Sequence, residues 1–176
     1  MRPLDGIKVL DLSRVLAGPF AGRILHDLGA EVVKVEPPEG DVTRNWGKVR
    51  AGLAGYYTQQ NVGKQNVCID LSVKGGPDIV RQLAARADVL IENFRPGVMQ
   101  KYELGYEDLA QINPKLVMLS ISGFGQDGPE SERAAYAPIL HAESGWLERS
   151  AGWNETSLAD LNLSAAGPNA SLHGTI

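Results

Sequence analysis

The sequence predicts an α/β fold with a mostly parallel sheet and helices on both faces. Three observations carry this. Short apolar runs rich in branched residues alternate with stretches of helical period, which is how parallel sheets are built. Residues 5–36 read as one βαβ unit, whose two strands run parallel with a right-handed crossover. No internal repeat or low-complexity tract interrupts the pattern.

In the opening unit, residues 7–12 form the first strand and residues 13–18 break it. From Pro19 to Leu28 the apolar Phe20, Ile24, Leu25 and Leu28 recur at helical spacing. Pro19 suits a first helical turn and Gly29 suits a helix end. Residues 31–36 are the second strand. Ligands in such sheets sit beyond the carboxyl ends of the strands, so residues 13–18 and 36–40 are the first places to look for a site.

Residues 37–57 are rich in Gly and charge without periodicity and read as a long excursion. Trp46, Tyr56 and Tyr57 argue that it docks on something. A third strand follows at 65–71 and a helix at 76–87, opened by Pro77 and Asp78 with Ile79, Val80, Leu83 and Ala84 on its buried face. Residues 88–93 are the fourth strand. A Pro-Gly turn and short helix span 94–104, and another short helix spans 106–112, ended by Asn113-Pro114. Residues 116–122 are the fifth strand. Beyond it the reading is a Gly-rich loop at 123–132, a helix at 138–146, a loop at 150–157 and the start of a helix at 169–176. That last helix stops with its apolar side chains unpartnered, which suggests the front part of a longer protein.

The 176 residues suffice for one domain with a real core, and 43% hydrophobic with 22% charged residues is the profile of a soluble globular protein. A formal charge of −4 gives no argument for nucleic acid or an anionic membrane as partner. No apolar run is long enough to span a membrane, no signal peptide is evident, and a cytoplasmic location is expected. The lone Cys68 lies in an apolar run and reads as a buried structural thiol.

Gly123-Phe-Gly-Gln-Asp-Gly128 matches G-x-G-x-x-G formally, but no helix opens behind it and no acid closes a following strand, so it reads as a plain Gly-rich loop. His26, His141 and His173 have no neighbour at a metal-ligand spacing. His26 falls on the polar side of the first helix and is expected to be solvated. The other two are expected to be structural. Arg14, Lys34, Arg44, Lys48, Arg50, Lys64, Arg95 and Lys101 lie near strand ends and suit a ligand bearing several phosphates, against the alternative of ordinary surface charge.

Three blocks, PLDGIKVLDLSRVLAGPFAGRILHDLGAEVVKVEPPEGD, ADVLIENFRPGV and LGYEDLAQINPKLVMLSISGFGQDGP, appear in this order. Together they resemble the class III CoA-transferases, the group of formyl-CoA transferase, carnitine CoA-transferase and α-methylacyl-CoA racemase. The resemblance runs from Pro3 to about Gly145. It implies a Rossmann-like large domain, of which residues 1–176 supply the N-terminal, CoA-binding part. The resemblance also implies a small domain that residues 1–176 are not expected to supply, and interlocked homodimers of full-length members. The implied substrates are an acyl-CoA and a carboxylic acid, with no permanently bound cofactor and no metal.

By position, the resemblance implies CoA contacts at Val15, Leu16 and Ala17, at Ile69 and Ser72, at Asn93 and Phe94, and at Lys101. Leu16 stands where formyl-CoA transferases carry a glutamine, and Pro37 where they carry an arginine, so formyl or oxalyl specificity is not implied. The family chemistry runs through one aspartate that forms an aspartyl intermediate. Registered on residues 169–174, that position falls on Gly167, and Asp160 is the nearest carboxylate. Tyr136 stands where the racemases carry their histidine. Three readings therefore stay open: a CoA-transferase acting through Asp160, a CoA-binding fragment without activity, and a racemase or isomerase on the same scaffold.

Overall fold

Branched side chains and the absence of Gly or Pro make the run at Lys8–Asp11 (β1) a strand, and its Cβ atoms alternate between two buried faces. The computed structural model describes residues 1–154, 157 and 165–176. After β1 come helix α1 (Ala17–Asp27), β2 (Glu31–Glu36), a 3₁₀ turn (Val42–Asn45), a two-stranded hairpin of β3 (Val49–Arg50) and β4 (Leu53–Ala54), and α2 (Gly55–Asn61). Then follow β5 (Gln65–Cys68), α3 (Gly76–Ala84), β6 (Val89–Glu92), α4 (Val98–Lys101), α5 (Tyr106–Ile112) and β7 (Val117–Ser120). The chain closes with α6 (Ala137–Glu143), α7 (Trp146–Asn154) and α8 (Ala166–Gly174).

The main sheet has five strands in the order β5-β2-β1-β6-β7, and every neighbouring pair is parallel. Such strands are covered on both faces and read as continuous apolar runs. One face packs Leu10, Leu12, Val35, Leu90 and Leu116 against Val80 and Ala84 of α3, Met99 of α4 and Leu109 of α5. The other packs Val9, Val32 and Ile91 against Ala21 of α1 and Ala30. Strand order steps outward in both directions from β1 and β6, so the ends of these strands open a crevice between the diverging connections.

Several readings need correction. The excursion after β2, read as lacking periodicity, contains regular structure: it holds the 3₁₀ turn, the β3–β4 hairpin and α2. Helix α2, of sequence GYYTQQN, has no apolar period and starts on glycine, so propensity hides it. The third strand stops at Cys68 rather than Leu71. Residues 150–154 continue α7 instead of forming a loop. Cys68 is exposed, because β5 is an edge strand and Val67, not Cys68, faces the core. His26 is half-buried, with Nδ1 3.2 Å from the Ala30 carbonyl. Helix α8 begins at Ala166 and packs against α1, where the buried Ser171 hydroxyl donates to the Ala17 carbonyl.

Candidate functional site

The loops at the carboxyl ends of the strands surround one cleft of about 1300 Å³. Arg14 to Ala17 follow β1, Pro37 and Gly40 follow β2, Ile69 to Ser72 follow β5, and Asn93 to Pro96 follow β6. Trp46 and Tyr56 close one side with rings 5.5 Å apart, and Ala166, Gly167 and Ala170 of α8 close another. Of the residues expected to touch a ligand, Val15, Leu16, Ala17, Ile69, Ser72, Asn93 and Phe94 line this cleft. Lys101 does not. It ends α4 with its ammonium 5.6 Å from the centre of the Tyr102 ring.

The segment after β1 is held peptide by peptide. Asp11 Oδ1 accepts from the Ser13 amide at 2.9 Å. Lys34 Nζ donates to the Ser13 carbonyl at 2.7 Å. Asn93 accepts from the Arg14 amide and donates to the Arg14 carbonyl, each at 2.7 Å. Asp41 Oδ2 accepts from the Val15 amide at 3.1 Å. Val15 is left-handed, φ 68°, an uncommon conformation for a β-branched residue. Gly18 lets α1 start close above this segment, since a Cβ there would lie 2.1 Å from Ser13 Cβ.

Three of the basic residues expected to meet phosphates are instead paired with buried acids. Lys64 Nζ donates to Asp11 at 2.8 Å, to the Pro19 carbonyl at 2.7 Å and to Asn61 at 2.9 Å. Burial alone would raise the Asp11 carboxyl, but Lys64 and Lys34 outweigh it and hold it below the usual range. Lys34 is 1% exposed and pairs with Asp41. Arg44 forks onto Glu36 at 2.7 and 2.9 Å and stacks over the Tyr57 ring. Burial would push Glu36 up, yet the bonds from Arg44, Tyr57 and the Asp41 amide bring it down to about 2. Burial and the Glu36 bond push the Tyr57 phenol up. A strand-end position cannot separate these paired cations from ones on the cleft wall. The buried acids facing them give the separation. Arg14 and Arg95 remain on the cleft wall, with the Arg14 guanidinium 5.4 Å from the centre of the Phe94 ring.

The far wall comes from α8. His141 is buried, and its Nε2 accepts from the amides of Ala165 at 3.2 Å and Ala166 at 3.3 Å, which caps the helix. Gly167, one position on, sits against Leu16: a Cβ there would lie 2.6 Å from Leu16 Cδ2. Asp160 lies outside the described residues. Among the described residues no group of His, Cys, Asp and Glu is arranged to hold a metal ion, and no helix is long and apolar enough to cross a membrane.

A parallel sheet with one broad cleft walled by the loops after β1, β2, β5 and β6 defines an α/β protein whose cleft lies where ligands of such folds sit. The sequence matches CoA-transferase family III over residues 4–166, and the chain belongs to that family. It is 47% identical to the succinyl-CoA:glutarate CoA-transferase of Homo sapiens over 149 residues, 84% of this chain and 34% of that protein. It is 46% identical to the acetyl-CoA:oxalate CoA-transferase of Acetobacter aceti over 144 residues, 81% of this chain and 37% of that protein. The crystal structure of a CAIB/BAIF family protein from Brucella suis superposes with a TM-score of 0.90 at 40% identity, covering 99% of this chain and 47% of that one. The chain thus spans about a third to a half of the relatives it matches.

Proposed function

We propose that the cleft binds coenzyme A and its thioesters, and that the polypeptide serves the transfer of CoA between carboxylic acids. Residues 1–176 act as the N-terminal part of the CoA-binding large domain, within an assembly that pairs two chains. One observation carries the reading: Val15, Leu16, Ala17, Ile69, Ser72, Asn93 and Phe94, expected as CoA contacts from the family pattern, line one cleft at the strand ends.

The transfer needs a carboxylate. It attacks the acyl thioester carbonyl, expels CoA thiolate and leaves a mixed anhydride. The thiolate attacks the enzyme side of the anhydride and releases the donor acid, which leaves an enzyme thioester. The acceptor carboxylate attacks that thioester, a second anhydride forms, and thiolate returns to the acceptor carbonyl. Asp160 is the carboxylate we assign to this role. A second reading, CoA binding without turnover, is favoured by Gly167, which holds the expected register without a side chain and is packed against Leu16.

Hydroxylamine separates the two. Incubation with an acyl-CoA and hydroxylamine converts a trapped anhydride or thioester to a hydroxamate, which mass spectrometry locates. A hydroxamate on Asp160 is the expected result for transfer. CoA binding by calorimetry without any hydroxamate leaves the binding reading. No binding heat overturns both.

A further inference from the structure

We propose that Asp41, backed by Lys34, is a positioning residue of the cleft: it holds Val15 in its left-handed conformation and so fixes the peptide run at residues 15–17. The inference rests on the CoA site proposed above, because that run is part of the wall the ligand would meet.

Asp41 and Lys34 are fully buried, with side chains 0% and 1% exposed, and their charges lie 3.4 Å apart. Removing such a pair from water is costly, so stability alone is a weak reason for it, and fixing a particular conformation is a better-attested use of a buried polar pair. Here each partner grips the same loop. Lys34 Nζ takes the Ser13 carbonyl at 2.7 Å, and Asp41 Oδ2 takes the Val15 amide at 3.1 Å. Asp41 has no spare oxygen: Oδ1 accepts from the Thr43 amide at 3.0 Å and its hydroxyl at 2.8 Å. Its own amide donates to Glu36 Oε2 at 2.8 Å. The side chain therefore ties the loop after β2 to the loop after β1, two walls of one cleft.

The object held is strained. Val15 has φ 68°, where a branched Cβ crowds the backbone, and such residues persist only where their surroundings over-determine them. The two residues that follow, Leu16 and Ala17, line the cleft, and their amides continue directly from Val15. If Val15 relaxed to a right-handed or extended conformation, these amides would turn with it.

The test is a double-mutant cycle on the full polypeptide, read as CoA affinity by calorimetry. Asp41→Asn can satisfy only part of the donor set, and it is expected to weaken CoA binding about tenfold, the scale of one hydrogen bond to a charged group. Glycine adopts φ near 70° without crowding, so the same Asp41→Asn change is expected to cost about twofold or less when made together with Val15→Gly. An equal loss in both backgrounds overturns the inference. The second readout needs neither a folded variant nor a ligand: amide exchange of the unmodified protein. The Val15 amide is expected to exchange slowly. Exchange at the rate of an exposed loop overturns the inference even if Asp41→Asn does not fold. Wild-type protein that gives no heat with CoA counts against the proposed function, and the exchange result still decides this one.

Discussion

Asn93 holds the peptide of Arg14 from both sides, its carbonyl oxygen accepting from the Arg14 amide and its amide donating to the Arg14 carbonyl, both at 2.7 Å. The two residues stand at the ends of neighbouring strands β6 and β1, so the pair behaves like one more rung of the sheet made by a side chain. Its effect is to fix where the Arg14 guanidinium and the run behind it can reach. Asn93→Ala removes both bonds, and CoA affinity is expected to fall about tenfold, with a smaller effect on stability because the site is at the rim of the core. Calorimetric titration of the variant checks this, and unchanged affinity would remove Asn93 from the binding machinery.

Lys64 is expected to matter for folding rather than for ligand. Its ammonium meets Asp11 deep under α1, and both side chains are essentially unexposed. Lys64→Met leaves the Asp11 carboxylate buried without its main partner, at a cost of about 3–5 kcal/mol. Adding Asp11→Asn should return most of that loss, since replacing both members of a buried pair is often close to neutral. Urea denaturation of the two variants measures it. A Lys64→Met variant as stable as the parent would mean that water reaches the pair.

Glu36 sets an acid limit on stability. Its folded carboxyl titrates near 2, below the ordinary 4.5 of a free glutamate, so the folded state holds the proton less tightly than the unfolded chain. The stabilisation is therefore complete above pH about 5 and is lost as pH falls from there toward 2. Glu36→Gln should flatten that part of the curve while lowering stability at neutral pH, because Arg44 and Tyr57 lose a charged partner. Denaturation midpoints taken between pH 7 and pH 2.5 check the slope. Parallel curves for the two proteins would argue against the assignment.

Gly167 and Leu16 are expected to be coupled. Gly167→Ala drives a methyl to 2.6 Å from Leu16 Cδ2, and overpacking of this kind costs about 1–3 kcal/mol. Leu16→Ala in the same chain should relieve most of it. The same reasoning says that Gly167→Asp can gain transfer activity only if Leu16 gives way, so its combination with Leu16→Ala is the informative variant. Thermal midpoints of the single and double variants settle the coupling, and additive losses would show that the two residues do not share space.

The parallel sheet was legible because both its faces are covered. Buried strands such as Val89–Glu92 leave continuous branched runs, and the Pro77-Asp78 start of α3 is a local signal. The strand-end position of the cleft followed from the same pattern, since crossovers leave their loops at the carboxyl ends. Helix α2 was not legible. Its sequence carries no apolar stripe, and it is held by what it touches: the Asn61 side chain supports Lys64, and the Tyr57 hydroxyl bonds Glu36. His141 gave no sign of being a helix cap, because Ala165 and Ala166 lie 24 and 25 residues away along the chain.

The sequence by itself determined the fold class, the order of the five strands of the main sheet along the chain, and the strand-end loops at 13–18 and 36–40 that face the cleft. Those features depend on periodicity and turn chemistry, which act over a few residues. Only the tertiary structure decided the fate of the charges. Lys34, Lys64 and Arg44 look like ligand-facing cations in sequence and are partners of the buried Asp41, Asp11 and Glu36 in space. A charge is assigned to solvent, ligand or core by the opposite charge within a few ångströms, and that distance is fixed by packing between segments far apart in the chain.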